Sequence, residues 1–245
     1  MTTQDIHSVV VSDIIPLSTC LMDEEIRGTI VYSHGLKAGE VLHLPEPGNA
    51  VRIVYLSYGS FEALSDGIRT ELSGSAVYIG KEAQELTISA ISDCKFIEII
   101  RKLTADEVKS ITAGVLPYSL AYEKAAKYTE DCKSAKTVSR MLVPARIIPR
   151  FAMGSVETEG DDLIEKHTHP LLEQFFYGLP GNDCSVLVDD ISVHFGENTL
   201  LHIPLGSDHG VVSHGKEKVK YLWMDFLFNE ESLKYMDEAH QIIDE

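Results

Sequence analysis

The 245-residue chain has few cysteines and no long apolar run, and each shortage excludes a class of protein. Its four cysteines lie far apart and form no Cys-x-x-Cys pair, so we expect neither a disulfide framework nor a thiolate metal site. No apolar stretch approaches the roughly 20 residues that span a bilayer. The opening MTTQDIHSVVVSDIIPL has no basic region and no small-residue cleavage site, so we predict a cytoplasmic protein without a secretory signal.

Basic residues are also scarce. Lys and Arg number 21 against 38 Asp and Glu, which gives a formal net charge of −17. Binding to nucleic acid requires a basic surface that displaces counterions, and attraction to an anionic membrane requires the same feature. We therefore expect neither partner. A small-molecule substrate remains, because the field inside a pocket can oppose the net charge.

Most of the chain has the pattern of short β-strands. Runs rich in Val, Ile, Tyr and Phe recur between Gly, Pro, Asn and Asp, such as AVRIVYLSYG and KFIEII in the first half and EQFFYGLPGN and VKYLWMDFLF in the second. This pattern favours an all-β sandwich or barrel. The two series also match weakly at a spacing of about 122 to 125 residues, which predicts two copies of one β-domain.

Three other segments have the pattern of helices. Thr104 followed by Glu107 forms a capping-box pattern, and LPYSLAYEKAAKYTED, opened by Pro117, has the composition of a helix. The tail from Asn229 has helical spacing, with one face formed by Leu233, Met236, Ala239 or His240, and Ile243.

These patterns divide the chain into three parts. We predict an N-terminal β-domain over 1–112, a helical linker over 113–138, and a C-terminal β-domain over 139–245 that ends in a helix.

The stretch KHTHPLLEQFFYG at 166–178 contains candidate metal ligands. His167 and His169 are two residues apart, so they project to the same side of an extended strand. Glu173 opens the next apolar run, and His209 follows the turn PLGSD. An isolated His-x-His pair is more often a surface feature than a ligand pair. The whole set suits one divalent transition metal, Mn, Fe, Ni, Co or Zn, with two coordination positions left for substrate, water or dioxygen.

This ordered set resembles the two motifs of the cupin superfamily, G(x)5HxH(x)3–4E(x)6G and G(x)5PxG(x)2H(x)3N. The departures lie at turns, where Asp161 stands for the first glycine and Ser213 for the final asparagine. The resemblance implies an all-β fold of two cupin-type β-barrels (double-stranded β-helix or jelly roll), joined by short helices. It also implies that the metal ligands of the C-terminal barrel are His167, His169, Glu173 and His209.

The repeat spacing carries these ligand positions back to Pro45, Pro47, Val51 and Glu85. Three of the four cannot bind a metal, so the N-terminal barrel is expected to be a degenerate cupin, with one metal per chain. His34 and His43 lie nearby but lack His-x-His spacing, and we predict that both are surface or loop residues.

Four further residues are candidates near this site. If Glu173 points into the barrel, strand alternation sends Phe175 and Tyr177 inward as well. Phe175 would then line the pocket and Tyr177 would place a catalytic phenol near the metal; the alternative for both is core packing. Arg146 and Arg150 would clamp a substrate carboxylate or phosphate if they line the barrel mouth, and are otherwise surface charges.

The resemblance leaves two functional classes open. The first is a metal-dependent enzyme of the isomerase, lyase or dioxygenase type, acting on a sugar acid, keto acid or similar oxygen-rich metabolite that chelates the metal. The second is a non-catalytic small-molecule-binding or storage cupin. The complete ligand set favours the enzyme, and the pairing of cupin sheets across the family allows a homodimer.

Overall fold

The computed structural model describes residues 6–229, 231–234 and 241–242. As predicted, the chain is built mostly of β-strands. The strands of the first half are β1 (Ser8–Val10), β2 (Leu17–Asp23), β3 (Thr29–Leu36), β4 (Val41–Leu44), β5 (Ala50–Tyr58), β6 (Ser60–Ser65), β7 (Ile68–Ser73), β8 (Ala76–Ile79), β9 (Leu86–Ala90), β10 (Cys94–Lys102) and β11 (Tyr118–Ala121). Those of the second half are β12 (Ala126–Thr129), β13 (Val138–Val143), β14 (Phe151–Glu159), β15 (Asp162–Thr168), β16 (Leu172–Gly178), β17 (Asp183–Val188), β18 (Ile191–Gly196), β19 (Thr199–Ile203), β20 (Asp208–Ser213), β21 (Lys218–Leu227) and β22 (Gln241–Ile242).

The chain folds into two compact units. Unit 1 comprises Met1–Val11 and Ala126–Glu245, and unit 2 comprises Ser12–Ala125. The N-terminal segment therefore belongs with the second half of the chain, because β1 pairs with β19. The linker predicted over 113–138 is divided between the two units.

Unit 2 has two antiparallel sheets with apolar residues packed between them. One sheet has the order β11-β8-β5-β10-β3-β2, and the other has the order β4-β9-β6-β7. Alternate residues of both sheets form the core, including Val54 and Phe96 from the first sheet and Phe61, Ala63 and Ile88 from the second. Buried residues alternate with half-buried ones along β6 and β9, so one face of this sheet is inside, whereas β5 is buried over most of its length.

Unit 1 repeats this strand order. Strands β19-β16-β21-β14-β13 follow one another as β8-β5-β10-β3-β2 do in unit 2, and β15-β20-β17-β18 correspond to β4-β9-β6-β7. The nine strands β13 to β21 of unit 1 thus correspond, one by one and in chain order, to β2 to β10 of unit 2. The core contains Ile164, Val186 and Val211 from the smaller group of strands and Phe176 and Trp223 from the larger.

Two of the three predicted helices are altered in the structure. Helix α1 (Ala105–Ser110) is present, and Thr104 and Glu107 form the predicted capping box. The helix predicted from Pro117 is wrong: this segment forms β11, a 3-10 turn (Tyr122–Lys124) and β12. The open edges of β8 and β13 provide backbone partners to β11 and β12 that an isolated helix cannot use.

The predicted C-terminal helix is only partly supported by the described residues. The side chain of Asn229 caps a helical turn at 231–234, accepting hydrogen bonds from the backbone of Glu231 and Ser232. Strand β22 follows instead of a continuous helix and pairs with β12. The predicted helix positions Met236, Ala239, His240 and Ile243 lie outside the described residues. No helix in the described ranges is both long and apolar enough to cross a membrane.

Candidate metal centre

Three of the predicted ligands meet at one end of unit 1. Strands β15 and β20 are antiparallel neighbours, and His167 pairs directly with His209. His169 follows two residues later, just beyond the end of β15. One ligand nitrogen from each of His167, His169 and His209 lies within 4.8 Å of the others. The His-x-His spacing thus places His167 and His169 on the same side, as strand alternation predicts, and the pairing of β15 with β20 adds His209.

Two of these imidazoles have their tautomers fixed by the backbone. Nδ1 of His167 lies 2.9 Å from the carbonyl oxygen of Glu165, and Nδ1 of His209 lies 3.1 Å from that of Ser207. A carbonyl oxygen only accepts a hydrogen bond, so each Nδ1 carries a proton, and Nε2 is the nitrogen that can bind a metal. Nε2 of His209 is buried and meets no hydrogen-bond partner among the described residues. A carbonyl partner of this kind is the usual support of a metal-binding histidine.

Burial also keeps His209 neutral. Desolvation, with a further contribution from the charge of His167, lowers the pKa of His209 from 6.5 to about 4. The ring is therefore deprotonated at neutral pH, which is the form that binds a metal.

The close approach of β20 to β15 depends on Gly210. A Cβ atom at this position would lie 2.6 Å from the carbonyl oxygen of Ile164, well inside van der Waals contact. Glycine next to His209 therefore lets the two strands come together where the imidazoles meet. The turn before them contains Gly206 at a φ of +74°, which explains the glycine of the Pro-x-Gly pattern.

The structure does not bring Glu173 to the histidines. The ring centroid of Phe176 lies 5.8 Å from that of His209, so Phe176 faces the triad. Strand alternation then turns Gln174 to the same face and Glu173 to the opposite one. On that opposite face, Oε1 of Glu173 lies 3.4 Å from Nε2 of His202.

Gln174 shares the face of the histidines, and sequence reasoning passed over it. Its side chain is buried, Nε2 donates a hydrogen bond of 2.8 Å to Oδ1 of Asp225, and Oε1 meets no partner within the described chain. The signal was present in the sequence: the first cupin motif allows three or four residues after His-x-His, and Gln174 occupies the longer spacing. The preference of that motif for glutamate favoured Glu173.

Phe175 and Tyr177 lie on the same face of β16 as Glu173. The ring of Phe175 packs against His202 and Phe226, with ring centroids 5.6 and 5.3 Å apart. The hydroxyl of Tyr177 donates to Oδ1 of Asn198 at 3.3 Å. The structure therefore places both aromatic residues on the face of β16 opposite to His167, His169 and His209.

Arg146 and Arg150 lie in the connection between β13 and β14. The backbone carbonyl of Arg150 accepts a hydrogen bond from Leu227, and Leu227 pairs with Leu172 at the start of β16. This connection is consequently at the same end of unit 1 as the His-x-His turn. Arg146 is exposed and Arg150 is half-buried.

Comparisons with known proteins identify the fold. No family model matches the chain, and no curated protein matches it by sequence. Among solved structures, the cupin 2 conserved barrel domain protein from Leptotrichia buccalis is 16% identical, with a TM-score of 0.60, over 93% of this chain and 92% of that one.

Oxalate decarboxylases are also similar in structure. The formate complex of the Lactobacillus farciminis enzyme is 11% identical, with a TM-score of 0.70, over 98% of this chain and 92% of that one. A study of the Mn(II) centres of the Bacillus subtilis enzyme provides a structure that is 11% identical, with a TM-score of 0.69, over 98% and 85% of the two chains. The strand order, the position of the histidine triad and these similarities together show that the chain has the fold of cupin-domain proteins.

Proposed function

We propose that the protein is a metal-dependent cupin enzyme that acts on a small carboxylic acid, of the 2-oxo acid or sugar acid class. The observation that carries the proposal is the triad of His167, His169 and His209. Three imidazoles converge there, two of them with Nδ1 bonded to a backbone carbonyl, and the Nε2 atom of His209 is buried without a partner in the described chain. Such a donor set fits a divalent transition metal.

We further propose Gln174 as the fourth protein ligand, in place of Glu173. An amide oxygen is a suitable ligand for a divalent cation, and Oε1 of Gln174 is buried on the face of β16 that Phe176 shares with His209. The hydrogen bond from Nε2 of Gln174 to Asp225 orients the amide so that the oxygen is the free end. With three imidazoles and one amide, the metal site would contain no anionic ligand.

In this proposal both units are cupin barrels, and unit 2 has lost its metal site. Leu44 pairs with Leu86 across β4 and β9, as His167 pairs with His209 across the corresponding strands of unit 1. Both leucines are buried in the core of unit 2. Within the described residues, His167, His169 and His209 form the one cluster of three potential metal-binding groups. The chain would therefore bind one metal ion.

The class of substrate follows from the open positions of the metal and from the charges around them. A bound metal would supply Lewis-acid polarisation to a chelated carboxylate and its neighbouring oxygen. Arg146 and Arg150, at the same end of unit 1, would bind a carboxylate through their guanidinium groups, and the ring of Phe176 would limit water at the inner side of the site. Similarity to oxalate decarboxylases favours the lyase type among the candidate reactions.

Metal content and turnover test the proposal together. The protein, purified without chelators, should contain about one transition metal per chain by elemental analysis, and loading with Mn(II), Fe(II) or Ni(II) should give turnover of an oxalate, 2-oxo acid or sugar acid panel. Loss of that turnover in His209→Ala is expected. A metal content near zero would contradict the metal site, and two ions per chain would contradict the degenerate unit 2. Saturable substrate binding without turnover in any metal form would instead identify a binding or storage protein.

A further inference from the structure

A row of polar side chains crosses the larger sheet of unit 2. Arg52 of β5, Glu98 of β10, His34 of β3 and Ser18 of β2 follow one another over four adjacent strands. Phe96, which pairs with His34, belongs to the core of this unit, so Arg52, Glu98 and His34 lie on the inward face, whereas Ser18 on the edge strand β2 is exposed. His34 is buried, and the prediction that it is a surface or loop residue is wrong; His43 is exposed, as predicted.

Most polar atoms of this row have partners. Glu98 accepts hydrogen bonds from Nε of Arg52 and, at 2.7 Å, from Nε2 of His34. The hydroxyl of Ser18 lies 2.7 Å from Nδ1 of His34, so both ring nitrogens of His34 have a hydrogen-bond partner. Glu98 is thus ionised and fully bonded, and its charge balances that of Arg52.

The guanidinium group of Arg52 is the exception. Nη2 donates to the carbonyl of Pro45 at 2.8 Å, whereas Nη1 is buried and finds no acceptor in the described part of the chain. The Arg52 side chain is only 4% exposed. A buried donor without an acceptor is unfavourable by about 1–3 kcal/mol. The two N–H groups of Nη1 therefore indicate an acceptor that the described residues do not provide.

The guanidinium of Arg52 lies beneath a surface connection. Pro45 lies in the exposed connection between β4 and β5, and its carbonyl receives Nη2, so the guanidinium lies directly beneath this connection. In unit 1 the corresponding connection, between β15 and β16, contains His169 and adjoins the metal ligands. The guanidinium of Arg52 therefore lies at the end of unit 2 that corresponds to the end of unit 1 where the histidine triad lies.

We propose that unit 2 contains a second, metal-independent site, which binds a small carboxylate through the Nη1 edge of Arg52. A guanidinium nitrogen with two free N–H groups matches a carboxylate oxygen, and the bond is charge-assisted. The bond between Nε and Glu98 holds the guanidinium plane in place, so little side-chain entropy is lost on binding. This inference does not depend on the metal site of unit 1.

Formate titration tests the proposal on the full-length chain. The double variant His167→Ala/His209→Ala removes the proposed metal site. Any saturable formate binding that remains in isothermal titration calorimetry then reports on unit 2. Chloride at equal ionic strength is the control anion. We expect one formate per chain in this background. Arg52→Lys keeps the charge but loses the planar fork, and should weaken formate binding by about tenfold, in line with the loss of one charge-assisted hydrogen bond.

Folding of the variants is checked by circular dichroism and gel filtration. Arg52→Gln leaves Glu98 buried without its cation, so the double change Arg52→Gln/Glu98→Gln provides a matched neutral pair and should abolish formate binding. If folded Arg52 variants bind formate as tightly as their parent, or if the variant without the triad binds none, the site does not exist. The metal content of the wild-type protein is measured separately and tests the site of unit 1, so the two proposals can fail independently.

Discussion

His167 and His209 face each other across the β15–β20 pair, with ring centroids 4.7 Å apart and Nδ1 of each bonded to a backbone carbonyl. The sequence separates them by more than 40 residues, and a single antiparallel pairing brings them together. Their Nε2 atoms are oriented by hydrogen bonds from Nδ1 to backbone carbonyls and not to flexible side chains. This relationship makes the triad a preorganised ligand set.

Replacing His209 by alanine should remove the metal without unfolding the protein. The apolar faces of the strands hold unit 1 together, so the circular dichroism spectrum and elution volume should stay near those of wild type. Elemental analysis should show the metal content falling by at least about tenfold, because a ligand is lost. His43→Ala is the matched control, since His43 is an exposed strand histidine bonded to Thr87 in unit 2. Equal metal content in the two variants would contradict the site.

Gln174 and Glu173 give opposite expectations. Gln174→Ala should lower metal affinity by about 10- to 100-fold, because it removes the proposed amide ligand. Glu173→Gln should leave metal content unchanged, because the Glu173 carboxylate contacts His202 on the other face of β16. Competition with a chelator of known affinity measures both. Loss of metal in Glu173→Gln but not in Gln174→Ala would instead identify Glu173 as the ligand, as the cupin motif implies.

Gly210→Ala tests the strand approach behind the triad. The new Cβ would lie 2.6 Å from the carbonyl of Ile164, so β20 must move away from β15 and carry His209 with it. A shift of this kind exceeds the tolerance of a metal site, and we expect metal affinity to fall by about tenfold. Gly80→Ala is the control, because its Cβ would meet nothing closer than 3.7 Å. Unchanged affinity in a folded Gly210→Ala protein would contradict this role.

Glu98 should make stability depend on pH. Burial alone raises the pKa of Glu98, but the hydrogen bond from His34 and the charge of Arg52 outweigh it and hold this pKa below its ordinary value of 4.5. The unfolded chain then binds more protons than the folded one over this range, so the stabilisation is fully present above pH 4.5 and is lost as the pH falls through the folded-state pKa.

The measurement compares urea unfolding of wild type and Glu98→Gln from pH 7 to pH 3.5. At pH 7 the variant should lose about 3–5 kcal/mol, because Arg52 is left without its buried partner. The difference between the two proteins should shrink towards low pH. A difference that stays constant over the whole range would contradict the lowered pKa of Glu98 in the folded state.

The sequence by itself determined the strand-rich fold, the His-x-His pair, the third histidine after the Pro-x-Gly turn and the capping box of α1. All of these depend on local rules: the two-residue period of a strand, the backbone freedom of glycine and the reach of a capping side chain. Such rules act within a few residues, so a single sequence contains them in full.

Only the tertiary structure decided which residues of β16 face the histidines, since a shift of one residue exchanges the two faces of a strand. Glu173 was chosen by motif, and the packing of Phe176 against His209 turned Gln174 to that side instead. Likewise, the edge of β8 drew the segment after Pro117 into a strand, and Glu98, 64 residues away, provided the partner that buries His34. Pairing partners of this kind are remote in sequence, so local propensity cannot specify them.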